Sequence, residues 1–250
     1  MRIRGLLLAL LLAASGLAHG AIILVQHPTP VRCATATTCA ITLSGVASGD
    51  TILVFPGTGS NLAFSSLTDT NGTVSTCRAW ANNADGGAGI YYVSNTASGS
   101  HTITLTVTSS GNLEIYAAEY SGMPTLGACD TSSAVATGST FNPTSASITP
   151  AGNNELLVGF IVVASSSVTF GSWGSSLSQV DTVTGGPSSA WAAFIQSTGT
   201  SGSATATPSG SNANWVAVAA FFESAAVPPA SPMLSHGKGL TSNGNPVVSN

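Results

Sequence analysis

Charged residues make up only 6% of this 250-residue chain, yet the segment NLEIYAAEYS, residues 112–121, holds two of its four glutamates. Paired carboxylates are what glycoside hydrolysis needs, provided that both face one bond. In an extended strand, side chains alternate between faces, so Glu114 and Glu119, five positions apart, point in opposite directions. Glu114 then shares a face with Tyr116, Ala118 and Tyr120, and Glu119 shares the apolar row of Leu113, Ile115 and Ala117. A carboxylate in such a row needs water at a strand end, a bulge that re-aims it, or partners that offset its desolvation. Arg78 is one possible partner, and the spacing predicts a structural Glu119 rather than half of a catalytic pair.

Other chemistries find little support. Beyond the first 20 residues the histidines are His27, His101 and His236, none within ligand spacing of another. No G-x-S-x-G elbow, P-loop or dinucleotide fingerprint occurs. The stretch ANNADGG puts Asn83, Asp85 and Gly86 at positions of a calcium loop, but Ala81 stands where the first acid belongs and Tyr92 where the bidentate glutamate belongs. A tight Asx-rich turn is the expected role, with no metal and no cofactor.

Aromatic side chains offer a different function. Trp191 and Trp215 lie inside apolar runs and are expected in the core. Trp80 leads into Asn82, Asn83 and Asp85, and Trp173 sits in FGSWGSS. A flat ring beside amide and carboxylate groups suits a sugar, which makes Trp80, Asn83, Asp85 and Trp173 the candidate ligand-binding residues.

Four cysteines, Cys33, Cys39, Cys77 and Cys129, permit three pairings, and an even count in an exported chain reads as disulfides. The preferred pairing closes the loop CATATTC with Cys33 and Cys39 and joins Cys77 to Cys129.

The elements that position these groups are strands. HTITLTVT, residues 101–108, alternates without a fault, with Ile103, Leu105 and Val107 on one face and threonines on the other. Further strand patterns cover 21–26, 39–45, 51–55, 73–80, 89–95, 112–120, 145–149, 155–163, 178–183, 189–197 and 214–222. Turn clusters such as SGD, DTNG, TASGS and TGGPSS separate them. The pattern predicts an all-β antiparallel β-sandwich, jelly-roll-like. Two halves also echo each other, with Ile41, Ser98 and Asn112 matching Ile148, Ser201 and Asn214 at offsets of 107, 103 and 102 residues. Similar halves can close into one sandwich, each covering the apolar face of the other. Two tandem immunoglobulin-like domains are the alternative.

The chain opens MRIRGLLLALLLAASGLAHG, with the charged start, short apolar run and small-residue end of a secretory signal peptide over residues 1–20. The run is short of the roughly 20 apolar residues that span a membrane. Domain boundaries are then 21–223 for the sandwich and 224–250 for a disordered tail rich in proline, glycine and polar residues. Without the leader, three basic residues face nine acids, a formal charge of −6 that makes nucleic acid a poor partner. The expected location is extracellular, on the cell surface or periplasmic.

EYSG at Glu119–Gly122, the later ITPAGNNELLVGF and the closing NWVAVAAFF resemble a broad group of bacterial secreted and phage-associated β-sandwich modules over about residues 40–223. The resemblance implies a jelly-roll-type architecture and brings no active-site residue. Cys77 and Cys129 depart from the group and suggest local stapling. These readings together describe an exported, non-catalytic β-sandwich acting as a surface, adhesive or matrix module. Its expected partners are glycans, other surface proteins or copies of itself. The alternatives are a carbohydrate-binding module using loop aromatics and, behind it, a glycan-active hydrolase.

Overall fold

In the computed structural model, NLEIYAAEYS is strand, as its alternation requires, and it ends the longest strand of an all-β fold. Residues 20–83, 86–132, 134–140, 142–196, 199–210 and 213–226 are described. The leader up to residue 19 and the tail from 227 lie outside them. The strands are β1 (Ile23–Gln26), β2 (Val31–Val46), β3 (Thr51–Thr58), β4 (Phe64–Asp69), β5 (Ser75–Asn83), β6 (Gly86–Val93), β7 (Gly99–Ser121) and β8 (Cys129–Ser132). They continue with β9 (Ala136–Gly138), β10 (Glu155–Val163), β11 (Thr169–Trp173), β12 (Ser178–Val183), β13 (Ser188–Gln196), β14 (Ala206–Ser209) and β15 (Trp215–Phe222).

The first sheet runs β1-β7-β3-β6-β5, with β2 and β4 also on β7, and the second runs β12-β13-β10-β15-β8, with β9 also on β15. Every pairing between these strands is antiparallel. Read from the β7 and β15 sides, β1-β7-β3-β6-β5 and β8-β15-β10-β13-β12 are the same arrangement executed twice. In both halves the third strand of the order comes earliest of the central three in sequence and pairs with the other two, β3 with β6 and β7, β10 with β13 and β15. The echo between the halves is therefore an echo of topology as well as of composition.

The two sheets face each other across a shared core containing Leu53, Phe55, Ile90 and Tyr116 from one and Val158, Phe160, Trp191 and Phe222 from the other. Phe55 stacks on Trp191 at 4.7 Å between ring centroids. Gly57 allows this approach, since a Cβ there would lie 2.9 Å from Val162 Cγ2. A core common to both halves makes one sandwich rather than two tandem domains.

Each sheet also buries its outer face. β7 is one 23-residue strand, not the two separated segments that its sequence suggests. Its first part pairs with β2 and β4, and its second with β3, β1 and the start of β2. Ile41, Leu43, Leu67, Ile103 and Leu105 thereby cover Ile52, Val54, Tyr91 and Ile115. In the second half, β11, β14 and the segments around Ile148 and Ala204 cover Leu157, Ile161, Ala217 and Phe221. Four layers and three cores explain why β3, β6, β10 and β15 are buried along their whole length. Strands enclosed on both faces lose the polar-apolar alternation that a two-layer sandwich would keep.

The structured chain continues past residue 223. Ser224 is buried, and the Ala225 N–H donates to the Gly122 carbonyl while its own carbonyl accepts from Gly20 N. Packing and backbone pairing of the sandwich therefore include Ser224 and Ala225.

Candidate functional site

Glu114 and Glu119 occupy opposite faces of β7, and both are fully buried. Glu114 enters the core between the sheets, where its Oε2 accepts a hydrogen bond from Ser189 Oγ on β13. The Tyr116 hydroxyl reaches the same Ser189, 2.6 Å from its Oγ and 3.0 Å from its carbonyl oxygen. Burial pushes the Glu114 carboxyl up to about 7, with the Ser189 hydrogen bond and the Arg32 charge pulling it partly back. Arg32 stands opposite Glu114 in the β2–β7 register, its guanidinium donating to the Gly186 carbonyl. A serine beside a carboxyl group has the right types for nucleophilic chemistry, but Ser189 and Glu114 are both at zero exposure. Here they hold two sheets together.

Glu119 enters the core beneath the first sheet. Its two oxygens accept from Gln26 Nε2 on β1 and from the Ala47 N–H, 2.8 Å away. Asp50, partly exposed at the start of β3, meets the same carboxyl group, and desolvation together with the Glu119 hydrogen bond and charge raises Asp50 to about 6. Glu119 thus fastens β1 and the turn before β3 to the end of β7. Its partners are Gln26, Ala47 and Asp50, in place of the Arg78 that the sequence offered.

A third carboxyl group, Glu155, is 2% exposed at the start of β10. Its Oε1 accepts from the Gly152 N–H, and the Asp130 Oδ2 accepts from the Ala151 N–H at 2.7 Å. The Asp130 and Glu155 carboxyl groups meet, and burial, with the charges of Asp130 and Glu223, raises Glu155 to about 7. Each half of the duplicated fold therefore carries one pair of touching carboxyl groups near the beginning of its third-ordered strand.

The two histidines among the described residues, His27 and His101, are committed to structure. His101 binds Asp69 through Nδ1 at 2.6 Å and the Ala97 carbonyl through Nε2 at 2.9 Å. His27 Nδ1 lies 2.9 Å from Asp181 Oδ2, which also accepts the Trp191 indole N–H. Among the described residues, no group of three or more His, Cys, Asp or Glu side chains is placed to hold a metal ion.

The outer layers present a different kind of surface. On the solvent face of β2, β7 and β4, the register aligns Thr38 with Thr106 and Ser66, Ala40 with Thr104 and Thr68, and Thr42 with Thr102. Thr42 and Thr102 share a 3.0 Å hydroxyl contact, and the Thr70 hydroxyl accepts from the Thr102 N–H. Neighbouring positions stand roughly 4.8 Å apart across strands and about 6.8 Å apart along them. No charged residue occupies these positions. The opposite outer layer repeats the pattern, with Thr144 and Thr205 hydroxyls 2.6 Å apart, Ser203 and Thr205 3.2 Å apart, and Thr169 bonded to Ser209. The alternation legible in HTITLTVT and in SGSATATPS produces these two hydroxyl faces.

Of the residues expected to bind sugar, Trp80 packs against the core beneath the first sheet and Trp173 against the outer core of the second half. Trp80 packs on the ring of Phe64 at 5.8 Å and donates its indole N–H to the Leu62 carbonyl, so its ring closes the end of a core. Asn83 ends β5 opposite Gly86, with its side chain outside the described residues, as is Asp85. Trp173 is partly exposed on β11, stacked with Phe170 at 6.2 Å and donating to Gln179 Oε1 at 3.3 Å. Trp191 and Trp215 are buried. Disulfides join Cys33 to Cys39 and Cys77 to Cys129, the second linking β5 of one sheet to β8 of the other. No helix among the described residues is long and apolar enough to cross a membrane. Sequence reasoning missed Ser189 and Asp50, because only the fold brings them to a glutamate, and no local motif marks either.

Comparison with protein-family models, curated proteins and solved structures returned no match.

Proposed function

We propose that the protein is an exported, non-catalytic β-sandwich that serves as an adhesive or matrix module, contacting neutral polysaccharide through its hydroxyl faces. The observation that carries this reading is the uncharged Thr/Ser array on both outer layers. One hydrogen bond exchanged with water contributes only about 0.5–1.5 kcal/mol, so a single hydroxyl binds nothing. A regular array contributes many such contacts at once, and repeated modules add avidity. A neutral, hydroxyl-rich polymer complements it, because neither partner must bury an unpaired charge. Two disulfides and a leader-like start fit an oxidising, exported setting.

Touching carboxyl pairs do not favour hydrolysis. A glycosidic bond and its water need about 5–9.5 Å between the two acids, whereas Asp50 with Glu119 and Asp130 with Glu155 are in contact. The second reading, binding through aromatics, rests on the half-exposed Phe170–Trp173 stack. Co-sedimentation with insoluble cellulose and chitin separates the readings. Thr104→Glu with Thr68→Glu abolishes retention if the hydroxyl face binds, and Trp173→Ala abolishes it if the aromatics do. Retention of neither wild type nor variants, with a monodisperse monomer in light scattering, overturns the adhesive reading; particles or filaments would shift the partner to further copies of the chain.

A further inference from the structure

Strand β1 ends the first sheet, and among the described residues it pairs on one side only, with β7. The other side of its backbone meets no strand there. A sheet edge of this kind invites a further strand unless charge, proline or a covering segment blocks it. The other three strands that end the two sheet orders each carry a charge, Arg78 on β5, Asp181 on β12 and Asp130 on β8. β1 reads ILVQ and carries neither charge nor proline.

Apolar side chains gather at that edge. Among the described residues, the large apolar side chains left exposed are Ile23, Leu24 and Val25 on β1, Phe194 and Ile195 near the end of β13, and Leu126. All but Leu126 therefore sit on two strands that border one groove of about 250 Å³, walled by Ile22, Leu24 and Tyr120 on one side and by Leu156, Phe194 and Ile195 on the other. Ile23 and Val25, 57% and 51% exposed, lie outside this groove. Ile23 alternates with Leu24 to the opposite face, so β1 is apolar on both. A small molecule in the groove would leave Ile23 and Val25 in water, whereas an added strand covers both faces and pairs the open backbone as well. We propose that β1 pairs with β1 of a second copy, antiparallel about a two-fold axis, so that the two first sheets become one. The same apolar residues then meet from both sides. Charge favours this place, because without the leader three basic residues face nine acids and two copies repel elsewhere. Titratable groups beside the strand are already engaged, His27 with Asp181 and Glu119 with Gln26. An edge of four residues and a groove wall make a small interface, of the weak class below about 1,200 Å². Paired copies carry the hydroxyl faces twice, and the pairing does not rest on what those faces bind.

Sedimentation equilibrium of the exported chain over a wide concentration range tests this. The expected result is a monomer–dimer equilibrium with a dissociation constant on the order of 10–100 μM. Val25→Lys places a charge on the exposed edge and is expected to weaken the dimer at least tenfold with an unchanged circular dichroism spectrum. Ile23→Lys should do the same from the neighbouring position, so the test survives if one variant does not fold. Amide hydrogen exchange at residues 24–26 should slow as the dimer forms. Thr104→Glu, on the outer layer, should associate as the wild type does. A monomer at every concentration, a dimer that both lysine variants leave intact, or a dimer whose exchange at residues 24–26 is unchanged overturns the assignment. Loss of the dimer in Thr104→Glu overturns it in favour of the hydroxyl face.

Discussion

Glu114 and Glu119 stand on one strand with their carboxyl groups in two different cores, the first bonded to Ser189 across the sandwich and the second to Gln26 and Ala47 beneath it. Glu114 has a folded value of about 7 against an ordinary 4.5, so the folded state holds its proton longer than the unfolded state does. Its contribution is fully present below about pH 4.5 and is lost as pH rises through 7. At one pKa unit per 1.36 kcal/mol the loss is on the order of 3 kcal/mol. The groups facing it, Ser189, Tyr116 and Arg32, are unchanged in Glu114→Gln. Urea titrations from pH 4 to 8 should therefore show wild type losing stability relative to this variant, and parallel curves would refute the buried protonated carboxyl.

Asp50 follows the same sign, with burial again the largest cause and Glu119 adding to it. Raised from 3.8 to about 6 by desolvation and by Glu119, it favours the folded state most below pH 3.8, and that benefit disappears as pH climbs past 6. In carboxyl-carbon NMR, Asp50 should titrate near 6 in wild type. Glu119→Gln should return it toward the usual aspartate range, because the variant removes the like charge. An unmoved Asp50 would mean that burial alone sets its value.

How much of this was readable beforehand depended on the layer. HTITLTVT announced a strand with one wet face, and the threonine array is that face. NLEIYAAEY announced a strand too, but both its faces are apolar apart from the two glutamates, a sign of double-sided burial that only four layers explain. The strands β4, β8, β9, β11 and β14 are three to six residues long and mostly polar, so propensity gave them little voice. Continuity of β7 through Ser109-Ser110-Gly111 was hidden because these are turn residues. Gly111 serves instead as a seat for Leu62, whose Cδ1 lies 2.6 Å from where a Cβ would project. Ser189 as the partner of Glu114 comes from 75 residues away, and no periodicity records such a meeting.

The disulfides differ in what they close. Cys77–Cys129 spans 52 residues and ties the two sheets, whereas Cys33–Cys39 spans 6 within β2. Loop-closure entropy assigns about 4 kcal/mol to the first and about 2 kcal/mol to the second. Serine replacement of each pair, followed by chemical denaturation, should lower stability in that order; the reverse order would show that the sheets need no staple.

Two aromatic residues separate packing from surface. Phe55 is fully buried against Trp191 and Phe160, so Phe55→Ala should cost about 3–5 kcal/mol, the range for emptying a large core site. Trp173, half exposed on a short outer strand, should cost less than half of that when changed to Ala. Equal losses would mean that the outer layer of the second half is as essential as the shared core.

The hydroxyl face allows a prediction in which stability and binding part company. Thr104 lies between Ala40 and Thr68 on the central strand of its layer, pointing to solvent, while its neighbours Ile103 and Leu105 fill the core below. Thr104→Glu adds a charge where no buried group must accommodate it, and surface changes of this kind usually stay within about 0.5 kcal/mol. The melting temperature should therefore hardly move. A carboxylate facing a neutral polymer must, however, be desolvated without a partner, which disrupts contact across the array. Retention on cellulose or chitin should fall by at least tenfold in Thr104→Glu and remain in Thr104→Ser, which keeps the hydroxyl. Equal retention in all three would mean that the threonines only coat the strand and that binding lies elsewhere on the surface.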